Sequence, residues 1–307
     1  MMILHLSDLH FQVRDEKTIR SRWNDLIKKL KPLKLDVIIF TGDLINRRSD
    51  TKNEDIALST ELFSDLITRL EISDVDRRVI FIAGNHDLPY DPFADNLKNK
   101  EKVNNERSIV VDGGTRVDDW YPSFLKSLGL RSQDHNNIYI VEDLNILSVD
   151  LTTFLPHLIT DFKIEGFAKG RLGTLCDNRD KLLDIIKAPI FDDSEKINVF
   201  VTHYPPSELS PCFRGDSKMS TGDTPYNLLK KKFDLYLCGH IHGFELFEDG
   251  FVARVGGTGG KFSAPPYTAE YALYEIDIKN KSITSYRLTF DTEEQAVLEL
   301  VDGRNPH

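Results

Sequence analysis

Residues 79–87, VIFIAGNHD, join a continuous apolar run to a turn of polar side chains. Such a run is typical of a strand buried on both faces. Gly84 then allows the backbone to turn sharply. The next three residues offer an amide oxygen, an imidazole and a carboxylate, which suits a metal ligand beside an acid or base. A plain polar turn after a strand would have the same composition, so the stretch needs support from the rest of the chain.

Two earlier apolar runs also end in polar side chains. Residues 2–7 lead into Asp8-Leu9-His10, and residues 37–40 lead into Thr41-Gly42-Asp43. Because residues i and i+2 of an extended segment point to the same side, Asp8 and His10 can reach one ion together. Both runs therefore repeat the pattern of a strand with candidate ligands at its end.

Helices are predicted between these strands, because apolar side chains recur at helical spacing over residues 18–30 and 54–70. Strand, helix and strand in this order predict a parallel sheet covered by helices. Ligands of such sheets bind beyond the carboxyl ends of the strands. The polar residues after all three strands are therefore expected at one edge. His5, inside the first strand, is interpreted as structural.

The second half of the chain repeats the pattern. Residues 197–201 lead into His203 and a pair of prolines that stiffen the turn. Residues 235–238 lead into Gly239-His240-Ile241-His242, whose two histidines again have the i and i+2 relation. Between the halves, a hairpin is predicted over residues 138–149, and helices over residues 172–186 and 226–231.

The chain, residues 1–307, is predicted to be a single domain with two additions. Residues 88–137 have mixed charge with several prolines and glycines, which predicts a loop-rich insert that either caps the site or is a structural flap. Antiparallel strands are predicted over about residues 244–290, and the acidic tail from Asp291 is expected to cap the surface. The glycine-rich residues 256–261 lack phosphate-loop spacing and are interpreted as a substrate contact through backbone N–H groups.

Composition narrows the function and the compartment. The net charge of −10 disfavours non-specific binding to phosphate backbones, and so argues against a dedicated nucleic-acid protein. Three isolated cysteines fit a reducing compartment better than a disulfide framework. There is no apolar run of membrane-spanning length and no signal peptide pattern, so a cytoplasmic protein without a membrane partner is expected.

Taken together, the motifs resemble those of the calcineurin-like metallophosphoesterases, a superfamily of binuclear-metal phosphoester hydrolases. In chain order they are Asp8-x-His10, Gly42-Asp43, Gly84-Asn85-His86-Asp87, His203 and Gly239-His240-x-His242. They contain five of the nine histidines, which makes the ordered set far more specific than any single motif. The resemblance implies an α/β fold in which two mixed sheets, flanked by helices, form a four-layer α/β/β/α sandwich with metals at the strand ends.

The resemblance also implies a role for each site residue. Each of two divalent ions would have three ligands of its own, namely Asp8, His10 and His242 for one ion and Asn85, His203 and His240 for the other. Asp43 would bridge both ions. His86 would be the catalytic imidazole near the leaving group, and Asp87 would orient it. The family's Gly-Asp motif often continues to a further Asp, whose place Asn46 takes in this chain.

The ligand types agree independently with such a site. Carboxylate, amide and imidazole ligands suit Mn, Fe or Zn, and Mn is expected in vitro. Two ions roughly 3.5–4 Å apart lower the pKa of a water and clamp the attacking and leaving oxygens. A charged His86 could protonate the departing alkoxide, and Asp87 would favour that charged form.

The substrate class is predicted from two of the motifs. Residues 203–206 with residues 239–242 resemble the branch that contains bacterial cyclic-nucleotide phosphodiesterases, so a small phosphodiester such as a cyclic nucleotide is the leading hypothesis. Residues 3–10 also resemble the superfamily's DNA-repair exonucleases, so a DNA or RNA exonuclease is the alternative. A non-catalytic scaffold is disfavoured because all predicted ligand positions are intact. The oligomeric state is not predicted.

Overall fold

The computed structural model describes residues 1–46, 52–87, 120–130, 136–149, 179–209, 224–257, 269–291 and 295–304. The strands in these ranges are β1 (Met2–Leu6), β2 (Val37–Phe40), β3 (Val79–Phe81), β4 (Asn136–Val141), β5 (Leu144–Val149), β6 (Ile197–Val201), β7 (Leu235–Cys238), β8 (Glu245–Phe247), β9 (Val252–Arg254), β10 (Tyr271–Asp277), β11 (Ser282–Phe290) and β12 (Ala296–Arg304).

The α-helices in the same ranges are α1 (Glu16–Leu30), α2 (Lys52–Arg69), α3 (Val75–Arg78), α4 (Trp120–Ser127), α5 (Arg179–Ile186) and α6 (Pro225–Lys232). Short 3-10 turns include Asn85–Asp87, directly in the stretch that follows β3. No helix in the described ranges combines the length and the apolar composition that a bilayer-spanning segment requires.

The strands form two six-stranded sheets, and both are mixed. The first has the order β12-β11-β10-β1-β2-β3, with β1, β2 and β3 parallel and the others antiparallel. The second has the order β4-β5-β6-β7-β9-β8, with β5, β6, β7 and β9 parallel and an antiparallel strand at each edge. The carboxyl ends of the parallel strands therefore supply two neighbouring rows of loops.

The sheets pack face to face, and side-chain alternation along each strand shows why. In β2, Val37 and Ile39 belong to the core between the sheets, whereas Ile38 and Phe40 pack against α1 and α2 on the outer side. In the second sheet, Tyr236 similarly faces α6. A strand that is buried on both faces must be apolar throughout. The predicted four-layer α/β/β/α sandwich is confirmed.

Two predicted segments extend beyond the described residues. Of the predicted insert, residues 88–119 and 131–135 lie outside the described ranges, while α4 provides a short helix within it. The predicted helix over residues 172–186 is described from Arg179 onward, as α5. Its first seven predicted positions lie outside the described ranges.

The C-terminal part differs from the prediction of one antiparallel run and a surface cap. The hairpin of β8 and β9 joins the second sheet, whereas β10 and β11 join the first beside β1. The tail forms β12, an edge strand paired to β11. Its apolar pattern is diluted by acidic residues, and Leu300 is 64% exposed. The sequence predicts the strands over residues 244–290, but neither the sheet that each one joins nor the strand β12.

Candidate metal centre

The predicted site residues lie at the carboxyl ends of strands, in loops that continue the pairing of the sheets. Asp8 follows β1, Asp43 follows β2, His203 follows β6 and His240 follows β7. Asp8 N donates to Gly42 O over 2.9 Å, which links the first two loops. Gly239 N donates to His203 O over 2.9 Å and links the last two. Backbone hydrogen bonds therefore fix the loops relative to one another.

The backbone turns sharply at four of the predicted ligands. Asp8, His10, Asp43 and His240 have φ angles of 54°, 45°, 61° and 71°. These are four of the eleven non-glycine residues with positive φ in the described ranges, so such conformations concentrate at this site. Asp and His enter the left-handed region more readily than most residues, but at a cost of order 1–3 kcal/mol. Strain of this kind is typical of functional sites.

The first group of ligand atoms comes from Asp8, His10 and His242. Their ligand atoms all lie within 4.8 Å of one another. His10 Nε2 is 3.2 Å from His242 Nε2, and Asp8 Oδ1 is 3.7 Å from the same atom. Asp8 is fully buried, and its Oδ2 accepts a hydrogen bond from the backbone N–H of His240 over 2.9 Å.

The second group comes from Asp43, His203 and His240. His203 Nε2 is 3.3 Å from His240 Nδ1 and 3.5 Å from Asp43 Oδ2. The other ring nitrogen of His203, Nδ1, lies 2.6 Å from the carbonyl oxygen of Thr41, which fixes Nδ1 as the donor and turns Nε2 into the site. Asp43 Oδ2 also lies 3.8 Å from His10 Nε2, so Asp43 stands between the two groups.

His86 lies beside both groups and is half-buried. Its ring centroid is 4.7 Å from that of His10, and it forms a third group of close ligand atoms with His10 and Asp43. The backbone N–H of His86 donates to Asp43 Oδ1 over 2.8 Å. The side chain of Asn85, predicted as a ligand, lies outside what the structure describes.

Asp87 is fully buried and accepts three backbone hydrogen bonds. The donors are the N–H groups of Gly84, Asp43 and Leu44, at 2.9, 2.8 and 3.1 Å. These bonds tie the turn after β3 to the turn after β2. Asp87 therefore sets the position of the turn that carries Asp43. That Asp87 also orients the His86 ring stays a prediction.

Close packing explains the glycines beside the two carboxylates better than turning does. A Cβ on Gly84 would lie 2.2 Å from Asp43 Oδ1, and one on Gly239 would lie 2.5 Å from Asp8 Oδ2. Real Cβ atoms do not approach so closely, so these positions require glycine whatever their φ angle. The sequence interpretation of Gly84 as a turn residue missed this reason.

Burial and neighbouring charges shift the pKa values of the site residues in different directions. Burial lowers the pKa of His203, but the carboxylates of Asp43 and Asp8 outweigh it and raise the pKa to about 10. Burial prevails at His10, whose pKa falls to about 4. Burial raises the pKa of Asp43, yet the neighbouring histidines hold it well below its usual value. Burial and the charge of Asp43 raise the pKa of Asp87 to about 7, against the pull of its three N–H donors.

The residues present fit divalent metal ions. Asp8 Oδ1 is buried and accepts no hydrogen bond from the described part of the chain. A buried acceptor without a donor costs about 1–3 kcal/mol, which a cation beside it would offset. Carboxylate and imidazole atoms from different loops converge around this oxygen and around Asp43. That donor set suits Mn, Fe or Zn.

Sequence reasoning missed residues that hold the ligands in place. Thr41 orients His203 through its carbonyl, and Gly256 packs against Asp8, where a Cβ would lie 2.7 Å from Oδ2. The N–H of Gly256 donates to Glu270 O over 2.9 Å, so it is not offered to a substrate as predicted. Residues 258–261 of the same glycine-rich stretch lie outside the described ranges. No local pattern signals these roles, because each depends on a distant partner.

Comparison with known proteins found similarity in sequence and in fold. A family model described as calcineurin-like phosphoesterase matches residues 1–244. No curated protein sequence matches the chain. Among solved structures, a purple acid phosphatase from yellow lupin seeds (Lupinus luteus) is similar at 12% identity and a TM-score of 0.52, over 99% of this chain and 53% of that one. A dimetal phosphatase from Danio rerio is 9% identical, with a TM-score of 0.49 over 98% and 99% of the two chains. The lupin enzyme shares the fold.

Proposed function

Because the chain belongs to the calcineurin-like phosphoesterase family, we propose that it is a binuclear-metal phosphodiesterase that hydrolyses a small phosphodiester such as a cyclic nucleotide. Family membership supports the broader class, a metal-dependent phosphoester hydrolase. The observation that carries the proposal is the position of Asp43. Its Oδ2 lies 3.8 Å from His10 Nε2 and 3.5 Å from His203 Nε2, so one carboxylate stands between two groups of ligands.

In the proposed site each ion has its own ligands and shares Asp43. The ligands are Asp8, His10 and His242 for one ion, and Asn85, His203 and His240 for the other. When bound, two divalent ions would supply Lewis-acid charge to the phosphoryl oxygens and lower the pKa of a water nucleophile. Mn is the ion proposed for work in vitro.

His86 is the proposed general acid. Its half-buried ring lies beside His10 and Asp43, and its backbone N–H is held by Asp43 Oδ1. A ring nitrogen of His86 would give its proton to the leaving oxygen as the P–O bond breaks, which spares that oxygen a full negative charge. The three backbone N–H groups that donate to the Asp87 carboxylate keep the turn that carries His86 in register with Asp43.

The finer assignment to small phosphodiesters is supported by the chain's sequence. Residues 203–206 with residues 239–242 resemble the cyclic-nucleotide phosphodiesterase branch, and the net charge of −10 disfavours a nucleic-acid backbone as substrate. Residues 3–10 favour a second candidate, a DNA or RNA exonuclease of the same family. The isolated cysteines support the cytoplasm as the proposed compartment.

The test is hydrolysis by Mn-loaded protein of four substrates: bis-p-nitrophenyl phosphate, p-nitrophenyl phosphate, cyclic AMP and single-stranded DNA. We expect turnover of the two small diesters, bis-p-nitrophenyl phosphate and cyclic AMP, and little turnover of the monoester or of DNA. Activity on DNA alone would replace the proposal with the exonuclease. Full metal binding without any hydrolysis would support a scaffold instead.

His86→Ala tests the proton donor within the same assay. Its metal content should equal that of the wild type, while turnover of cyclic AMP, which has a poor leaving group, should collapse. Turnover of bis-p-nitrophenyl phosphate should fall less, because p-nitrophenolate leaves without a proton. Equal losses on both substrates, or loss of metal, would remove His86 from the role of general acid.

A further inference from the structure

The loop that carries His242 is anchored by residues from elsewhere in the chain. Phe244, two positions after His242, donates its N–H to Glu270 Oε2 over 2.6 Å. Gly243 donates its N–H to Gly256 O over 2.9 Å. Glu270 directly precedes β10 of the first sheet, whereas the loop follows β7 of the second. The position of His242 therefore depends on a contact between the two sheets.

Glu270 also holds Gly256, which packs against a second ligand, Asp8. The backbone carbonyl oxygen of Glu270 accepts the N–H of Gly256 over 2.9 Å, which places Gly256 against Asp8. A Cβ at Gly256 would lie only 2.7 Å from Asp8 Oδ2, so this part of the backbone is in close contact with the carboxylate. Through Gly256 and Phe244, one residue thus supports both Asp8 and His242.

Arg287 on β11 holds the Glu270 carboxylate in place. Its Nη2 forms an ion pair with Glu270 Oε1, while Oε2 accepts the N–H of Phe244. The Glu270 side chain is only 13% exposed, so the arginine offsets much of the cost of burying it. A carboxylate with both oxygens occupied has little freedom to move.

We propose that Glu270, held by Arg287, is a positioning residue that sets the affinity of the ion site formed by Asp8, His10 and His242. The inference rests on the proposed function, because it requires that this site binds metal. Groups that hydrogen-bond a metal ligand directly change metal affinity by about 10–100-fold when they are replaced. Glu270 acts one step further away, through the backbone N–H of Phe244, so the lower end of that range is expected. The family model ends at residue 244, so Glu270 and Arg287 belong to the part of this chain beyond the matched region.

The test measures Mn²⁺ binding to chelator-treated protein by isothermal titration calorimetry, with Co²⁺ absorption spectra as a second readout of ligand geometry. Glu270→Ala should weaken one of two ion sites by about tenfold and leave the other unchanged. Glu270→Gln keeps an acceptor for Phe244 but turns its NH2 group towards Arg287, so it should recover only part of that affinity. Glu299→Ala is the matched control, since Glu299 also pairs with Arg287, at 4.0 Å, but is 67% exposed and should bind Mn²⁺ like the wild type.

Two comparisons separate failure of this inference from failure of the proposed function. If the wild type binds fewer than two ions, or if His242→Ala binds Mn²⁺ like the wild type, the metal site itself is wrong. If the wild type binds two ions and His242→Ala loses Mn²⁺ affinity, but Glu270→Ala still binds both ions like the wild type, Glu270 has no positioning role. Should Glu270→Ala not fold, Arg287→Met applies the same criterion, with unchanged affinity at both sites overturning the inference.

Discussion

Two fully buried histidines contact the same residue and have opposite properties. His5 lies between the sheets, with Nε2 3.0 Å from the Thr41 hydroxyl. His203 lies at the strand ends, with Nδ1 2.6 Å from the Thr41 carbonyl oxygen. Burial lowers the pKa of His5 to about 3, whereas the carboxylates of Asp43 and Asp8 overcome burial and raise that of His203 to about 10. Equal burial thus goes with a lowered pKa at one ring and a raised pKa at the other.

The difference lies in what surrounds each ring. His5 meets neutral hydroxyl groups, from Thr41 and from Tyr274 at 3.3 Å, and its hydrogen bonds do not require a charge. His203 faces buried carboxylates whose negative charge accumulates where strands end. Concentrated charge of this kind is costly in a protein interior unless a function requires it. Charge density, rather than burial, distinguishes the candidate metal centre from the core.

Asp43→Asn should have the largest effect on the metal centre, because it removes the carboxylate shared by both ligand groups. We expect metal affinity to fall by at least about a hundredfold and phosphodiester hydrolysis to become undetectable. Metal content by mass spectrometry and turnover of bis-p-nitrophenyl phosphate would measure this. The matched control is Asp55→Asn, a buried carboxylate that accepts the N–H of Val13 outside the site and should leave metal content unchanged. Normal metal content in Asp43→Asn would contradict the charge argument.

Asp87→Ala should have the next largest effect, on stability. It leaves three buried N–H groups without their acceptor, and an unsatisfied buried donor costs about 1–3 kcal/mol. We expect the free energy of unfolding to fall by about 3 kcal/mol, measured by urea denaturation of chelator-treated protein. Asp87→Asn keeps one oxygen, so its free energy of unfolding should lie between those of Asp87→Ala and the wild type. A loss in Asp87→Ala no larger than that of a surface substitution would show that water replaces the carboxylate.

The sequence was sufficient for the features that are local. Each apolar run ending in Asp, His or Asn is visible in a few consecutive residues, and parallel strands bring such ends together. The four-layer sandwich followed from these runs through the family resemblance. The bounds of the predicted elements in the described ranges differ by only a few residues, as for α2, predicted over residues 54–70 and found at Lys52–Arg69. The strand β12 was not predicted.

The features that could not be predicted depend on distant partners. The carboxylate of Asp87 reaches the N–H of Asp43, 44 residues earlier, and Glu270 reaches Phe244, 26 residues earlier. The same limit applies to β12, whose edge position depends on pairing with β11 and not on its own pattern. A side chain that binds backbone leaves no periodicity in the sequence, since any acceptor of suitable length would serve.

The pH dependence of stability tests whether burial lowers the pKa of His5. The unfolded chain binds a proton at His5 below pH 6.5, but the folded chain does so only near pH 3. Stability should therefore decrease as the pH falls through this window, by up to about 1.4 kcal/mol per pH unit from this residue. His5→Gln cannot bind the proton, so its unfolding free energy should decline less steeply between pH 6.5 and pH 5. Equal slopes for both proteins in urea denaturation would show that His5 is protonated in the fold.

Thr41→Val, which has the smallest expected effect, tests the contact of Thr41 with His5 separately from its contact with His203. It removes the hydroxyl near His5 and keeps the backbone carbonyl near His203. Loss of one buried hydrogen bond should reduce the free energy of unfolding by about 1 kcal/mol, while Mn²⁺ affinity should stay at the wild-type value. If affinity falls together with stability, the ring in the core and the ring in the site are energetically coupled through Thr41. If stability alone changes, the strand end isolates the charged site from the neutral core, and each histidine owes its properties to its own neighbours.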